Sequence, residues 1–228
     1  MLPIMSRLSR ITVPGLPHHV TQRGNRRMAV FAEPSDYQIY IDLMAERCAA
    51  HDVSCWAYCL MPDHIHLVLT PSSEDGLARA VGEAHRRYAS FFNARARVTG
   101  HLFQGRFTSA AMDEDHLLAA VRYFALNPVK AKLAKRVQDW PWCSVPAHLA
   151  GSDDALLQVS PVLDRVGPRF ADLLKLSRQE KLALSGFEMK GVIGRPMGSP
   201  AFVADLEKRL GRTLAPAKRG PKPKAKGE

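Results

Sequence analysis

Long apolar runs are missing from this sequence. No stretch of its 228 residues approaches the roughly 18 consecutive apolar positions of a membrane-spanning helix, and Met1 to Arg10 carry basic residues without the apolar core of a signal peptide. A soluble cytoplasmic protein with no membrane partner is expected. Cysteine is sparse as well. The four thiols include no CxxC pair, and Cys55 and Cys59, in one expected strand, would stand roughly 13 Å apart, too far for a bridge. This argues against a disulfide scaffold or a thiolate zinc site and for reduced thiols. There is no Walker phosphate loop, no GxGxxG turn and no internal repeat. Acids are the last shortage: 22 Asp and Glu face 32 Lys and Arg, a net charge of +10. Folding needs no such surplus, so an anionic partner is implied, nucleic acid before membrane. With 46% hydrophobic residues the chain can bury a core as one domain, or one plus an appendage.

Pro17 to Arg23 reads as a first strand, with Val20 and Gln22 on one side and His19 and Thr21 on the other, ended by the turn signal Gly24-Asn25. A helix follows with Ser35 as N-cap and Gln38 completing a capping box; Tyr37, Tyr40, Ile41, Met44 and Cys48 form its core face. Val53 to Leu60 reads as a second strand. Gly76 to about Arg97 is a long helix with Leu77, Val81, Ala84 and Tyr88 inward and His85, Arg86, Arg87, Arg95 and Arg97 outward. Leu102 to Ala110 is a loop entering another strand. Asp113-Glu114-Asp115 then opens a helix with an acidic first turn suited to its dipole, and Pro128 sets its expected end near Asn127. Beyond the Trp140-Pro141-Trp142 cluster, Ala147 to Gly186 alternates short helical patterns with Gly and Pro breaks and carries no evident chemistry. Ser199 caps a last short helix with Pro200 at its first position, reaching about Leu210. Lys218 to Lys226 is basic, Pro-rich and expected to be disordered when alone.

The chemistry centres on Leu60 to Thr70. After the Met61-Pro62-Asp63 turn, His64 and His66 alternate with Ile65, Leu67 and Leu69, so a strand would carry both imidazoles on one face and an ordinary apolar core on the other. Two strand histidines are more often packing than ligands, and a helical tyrosine or terminal asparagine is more often a core residue or a cap. Tyr123 and Asn127, however, are four apart on one helix and share a face.

PHHVTQRGNRR, YCLMPDHIHLVLTP, FQGRF, YFALNPVKA and DWPWCS, spread over Pro14 to Gly151, resemble the single-tyrosine HUH transposases, the IS200-like group, and within it the REP-associated tyrosine transposases of bacteria. The resemblance implies an α+β fold, a ferredoxin-like antiparallel sheet with helices on one face and a C-terminal helical extension. It makes His64 and His66 the metal pair, Asn127 the third ligand, Tyr123 the nucleophile, and Mg²⁺ or Mn²⁺ the cofactor. The implied partner is single-stranded DNA with hairpins of the REP palindrome type, cut through a 5′-phosphotyrosine; a monomer is favoured over a homodimer, in the cytoplasm at the nucleoid. DNA contacts are expected from His19, Arg23, Arg26, Arg27, Arg86, Arg87, Arg95, Arg106, Arg195, Lys218, Arg219, Lys222 and Lys224. The expected layout is a transposase domain over 1–150, a small helical extension over 151–215 and a basic tail over 216–228. One rival reading is a domesticated, non-cleaving palindrome-binding regulator. Another, a histidine-triad nucleotide enzyme, fails at Val68, where a third histidine is required.

Overall fold

The computed structural model describes residues 10–175 and 194–214. Six elements build its centre: β1 (His18–Arg23), α1 (Pro34–Ala50), β2 (Val53–Met61), β3 (His64–Pro71), α2 (Gly76–Ala96) and β4 (Thr108–Ala111). The strands form one sheet in the order β2-β3-β1-β4, each neighbouring pair antiparallel. This βαββαβ arrangement is the ferredoxin-like fold expected from the sequence.

Strand alternation divides the sheet. Val20, Ile65, Leu67 and Leu69 are fully buried on one face with Tyr40, Met44, Leu77, Val81 and Tyr88 of α1 and α2. Val68, Cys59 and Met61 face the other way, against α3 (Glu114–Lys130). In β2 the alternation changes phase: pairing steps from Cys55 opposite Leu69 to Ala57 opposite Val68, leaving Trp56 as a bulge. Cys55 therefore packs toward α1, whereas Ala57 and Cys59 pack toward α3.

Three local expectations need correction. Helix α1 is capped by Glu33 rather than Ser35, with Pro34 first and Asp36 closing the capping box. The buried Asp36 carboxylate accepts from the backbone N–H of Ala32 and Glu33 and is gripped by Arg95, three donors that the Ser35 to Gln38 alternative cannot supply. Helix α3 runs through Pro128 to Lys130. Proline in the last turn removes one N–H, while the following carbonyls keep donors: Ala131 N–H bonds Asn127 O at 2.9 Å and Leu133 N–H bonds Pro128 O at 2.8 Å. His85 faces inward, 6% exposed, with its Nε2 2.9 Å from the Tyr40 hydroxyl.

Both sheet edges are covered. DWPWCS runs along β2: Leu60 N–H bonds Trp142 O at 2.8 Å, Ser144 N–H bonds Tyr58 O at 2.9 Å and the Trp140 indole donates to Leu60 O at 3.0 Å. At the other edge Met197 N–H bonds Ala111 O at 2.7 Å, beyond β4. Helices α4 (Val145–Ala150), α5 (Ser160–Val166) and α6 (Phe170–Leu173) place Val145, Val162 and Phe170 in the cluster that holds Tyr123 and Phe124. Helix α7 (Pro200–Leu210), capped by Ser199 as expected, buries Leu206 against Ile11, Val13 and Ala111. Among the described residues after 150, Leu156, Leu157, Val162, Phe170 and Met197 pack into the clusters on the two faces of the sheet. All four cysteines are unbridged and buried. Among the described residues no helix is long and apolar enough to cross a membrane.

Candidate active site

The Pro62-Asp63 turn closes the hairpin by pairing Met61 with His64, and from there every second residue of β3 faces α3. His64 and His66 stand side by side there, ring centroids 5.0 Å apart and perpendicular. His64 Nδ1 lies 2.5 Å from the Asp63 carboxylate. A carboxylate accepts only, so this Nδ1 carries a proton, and in the neutral ring Nε2 keeps its lone pair. His66 is 2% exposed; its Nδ1 is 3.0 Å from Nε2 of His19 on β1, and its own buried Nε2 has no protein partner. Burial first, then the charges of His19, His64 and Arg23, pushes the His66 pKa well below the ordinary imidazole value, and burial alone pushes His19 down to about 4. Neutral imidazoles are the form that ligates a metal.

Helix α3 crosses this face. The Tyr123 ring meets His66 edge-on at 5.3 Å, and Phe124 stacks on His66 at 5.2 Å. Tyr123 is 4% exposed, with the Lys130 ammonium 5.4 Å from its ring centroid. Asn127, one turn beyond Tyr123, is 8% exposed and its buried Nδ2 lacks a partner. Among the described residues no three His, Cys, Asp or Glu side chains cluster as a metal site. The candidate donors are two imidazoles and an amide oxygen; the orphaned His66 Nε2 fits a metal ion, whereas the orphaned Asn127 Nδ2 is an N–H donor and would meet an acceptor.

A family model described as "Transposase IS200 like" matches residues 12–126, half of the chain and most of this site. The chain belongs to the IS200-like transposase family. No curated protein matches it. Among solved structures, a REP-associated tyrosine transposase bound to a REP hairpin aligns at 23% identity with a TM-score of 0.53, covering 68% of this chain and 92% of that one. A candidate transposase from Deinococcus radiodurans R1 aligns at 22% identity and a TM-score of 0.37, covering 54% and 97%.

The basic residues of this IS200-like chain separate into groups. Arg23 pairs across from His64 at the end of β1, and Arg26 and Arg27 follow on an exposed loop. That loop, the Pro62-Asp63 turn and the loop carrying Arg106 converge: Gly24 N–H bonds Asp63 O at 2.8 Å, Asn25 N–H bonds Leu102 O at 2.8 Å and Gln104 N–H bonds Arg23 O at 2.9 Å. An open cleft of about 450 Å³ between them is lined by Asn25, His101, Phe103, Gln104 and Gly105. Gly24 is required at this junction, because a Cβ would sit 2.1 Å from the Met28 carbonyl oxygen.

The other expected DNA contacts fare differently. His19 is 0% exposed and faces His66, so it cannot touch DNA. Arg86, Arg87 and Arg95 lie on α2, across the sheet from the histidines, and each is ion-paired: with Glu83, with Glu46, and with Glu33 and Asp36. Arg195 donates to Leu214 O at 3.0 Å and ties the extension together. Lys218, Arg219, Lys222 and Lys224 lie outside the described residues. Sequence reasoning missed Asp63 as the orienter of His64 and Lys130 near Tyr123. The signals were there: Asp63 adjoins the first histidine, and Lys130 follows Tyr123 by two helical turns.

Proposed function

We infer that the protein is a divalent-metal-dependent single-stranded DNA endonuclease and strand transferase acting beside hairpins. One observation carries this reading: α3 sets the Tyr123 ring edge-on to His66, whose buried Nε2 has no protein partner, within a single chain. His64, His66 and Asn127 would hold Mg²⁺ or Mn²⁺, open to further oxygen ligands. When bound, the ion supplies charge neutralisation at the phosphate and alignment. Tyr123 supplies the nucleophile. Its oxygen forms a bond to phosphorus as the bond from phosphorus to the 3′ oxygen breaks; the phenol proton is lost and the leaving oxygen gains one. The products are a 5′-phosphotyrosine and a 3′-OH. Because the new ester keeps the energy of the old one, another 3′-OH can attack it and complete strand transfer. Lys130 adds positive charge beside the ring. The hairpin-bound REP transposase of related fold supports a hairpin-flanked substrate, and a site built within one chain supports a monomer.

The experiment is Tyr123→Phe on a hairpin-flanked oligonucleotide. Wild-type protein should give a covalent adduct in the presence of Mn²⁺, and the variant should give neither adduct nor cleavage while still binding the DNA. Cleavage by Tyr123→Phe would refute the assignment.

A further inference from the structure

The His19–His66 pair poses a question that the His64–Asp63 pair does not. Asp63 can only accept, which fixes the His64 tautomer, but two imidazoles facing each other at 3.0 Å can share one proton in either sense. If His66 Nδ1 accepted, its Nε2 would carry the hydrogen and could not ligate. If His66 Nδ1 donates, Nε2 presents a lone pair to the face where Tyr123 lies.

The surroundings hold this geometry. His19 lies diagonally across from His66, on the same sheet face, since β1 pairs His19 with Val68 and Thr21 with His66. The two rings stack at 5.2 Å with 25° between planes. Phe124 packs on both, 5.3 Å from His19 and 5.2 Å from His66, so neither ring can turn without displacing α3. Full burial keeps water from substituting for His19 as the acceptor. His18, the preceding residue, shows how the chain fixes a tautomer where nothing is to be bound: Val13 N–H donates to its Nε2 at 3.1 Å and its Nδ1 donates to Leu16 O at 2.8 Å, using both nitrogens.

We propose that His19 is a positioning residue for metal binding: its Nε2 accepts the Nδ1 proton of His66 and thereby holds the His66 Nε2 lone pair toward the metal. This rests on the reading of His66 as a ligand. Partners behind a ligating histidine are worth about 10- to 100-fold in metal affinity.

Two measurements test it on the full-length protein. In metal-free wild-type protein, long-range ¹H–¹⁵N correlations should report His66 as the Nδ1–H tautomer; an Nε2–H tautomer overturns the proposal whatever any variant does. Mn²⁺ titration followed by electron paramagnetic resonance should show His19→Leu binding about 10- to 100-fold more weakly, and His19→Gln, which keeps an acceptor near the Nε2 position, recovering most of that loss. Binding lost in His66→Ala but unchanged in His19→Leu overturns the proposal alone. Wild-type protein that binds no Mn²⁺ overturns the metal reading and this proposal with it.

Discussion

Ile65, Leu67 and Leu69 on one face of β3, and His64, His66 and Val68 on the other, are interleaved in sequence yet obey different rules. On the α1/α2 face apolar side chains fill the space, and most polar groups that enter are matched, as where His18 uses both ring nitrogens and Tyr88 donates to Val30 O at 2.6 Å, although the buried Ser109 Oγ beside Val20 has no partner. On the α3 face the buried polar atoms without a partner include His66 Nε2 and Asn127 Nδ2. Each such group costs about 1–3 kcal/mol if nothing satisfies it. Open polar atoms occur on both faces, so what sets the α3 face apart is which atom is open: an imidazole nitrogen beside a tyrosine ring rather than a lone hydroxyl among apolar side chains.

Adjacent residues of β3 give the strongest challenge to this division. His66→Ala should abolish cleavage and Mn²⁺ binding. Ile65→Ala, one residue away and fully buried among the α1/α2 core, should cost about 2–5 kcal/mol in urea unfolding while the folded fraction still cuts. An Ile65→Ala protein that stays folded and has lost cleavage would erase the distinction between the faces.

Acid sharpens the same comparison on the core side. Burial, chiefly, holds the His18 pKa down to about 4 and the His85 pKa down to about 3, against an ordinary 6.5. An unfolded chain takes up these protons near 6.5, the folded chain only near 4 and 3, so the unfolded state binds more protons between those limits. Stability present above pH 6.5 is therefore lost as pH falls, through about 4 for His18 and about 3 for His85. Each imidazole contributes on the order of 3 kcal/mol to that loss. For His18 the structural cost is specific: a proton on Nε2 collides with the Val13 N–H that now donates to it. His85→Gln, which can still pair with the Tyr40 hydroxyl, should flatten the acid limb of a stability–pH curve; an unchanged limb would mean His85 is already charged in the fold.

The residues differ in how far they announced these roles. Alternation in MPDHIHLVL fixes the two faces by itself, and the four-residue spacing of Tyr123 and Asn127 needs only a helix, so both were legible from local geometry. His19 was not, because its partner is set by the register of β1 on β3, which pairs residues 47 positions apart. The Trp56 bulge shifts β2 by one residue and leaves no mark in a pattern already apolar on both faces. The edge-covering roles of DWPWCS and of Arg195 to Ser199 are backbone roles, and side-chain chemistry does not report which carbonyl a segment will meet. Asp113 is similar: its carboxylate caps α3 at His116 N–H and also takes Ser199 N–H at 2.7 Å, joining the extension to the tyrosine helix.

The smallest expected effect separates the two sets of arginines. Arg27 is exposed beside the histidine turn and sits at φ +60°, in the left-handed region that favours glycine. Arg27→Gly should relieve backbone strain, so the protein should be no less stable, while losing one cation from the side where DNA would approach. If that cation meets phosphate, the log–log salt slope for single-stranded DNA should fall by roughly 0.7. Arg86 is exposed too, at 67% of its side chain, but it is paired with Glu83 on the far side of the sheet. Arg86→Ala should leave the slope where it was. Equal losses from the two variants would mean that DNA wraps around α2 as well, and that the α1/α2 face is not purely structural.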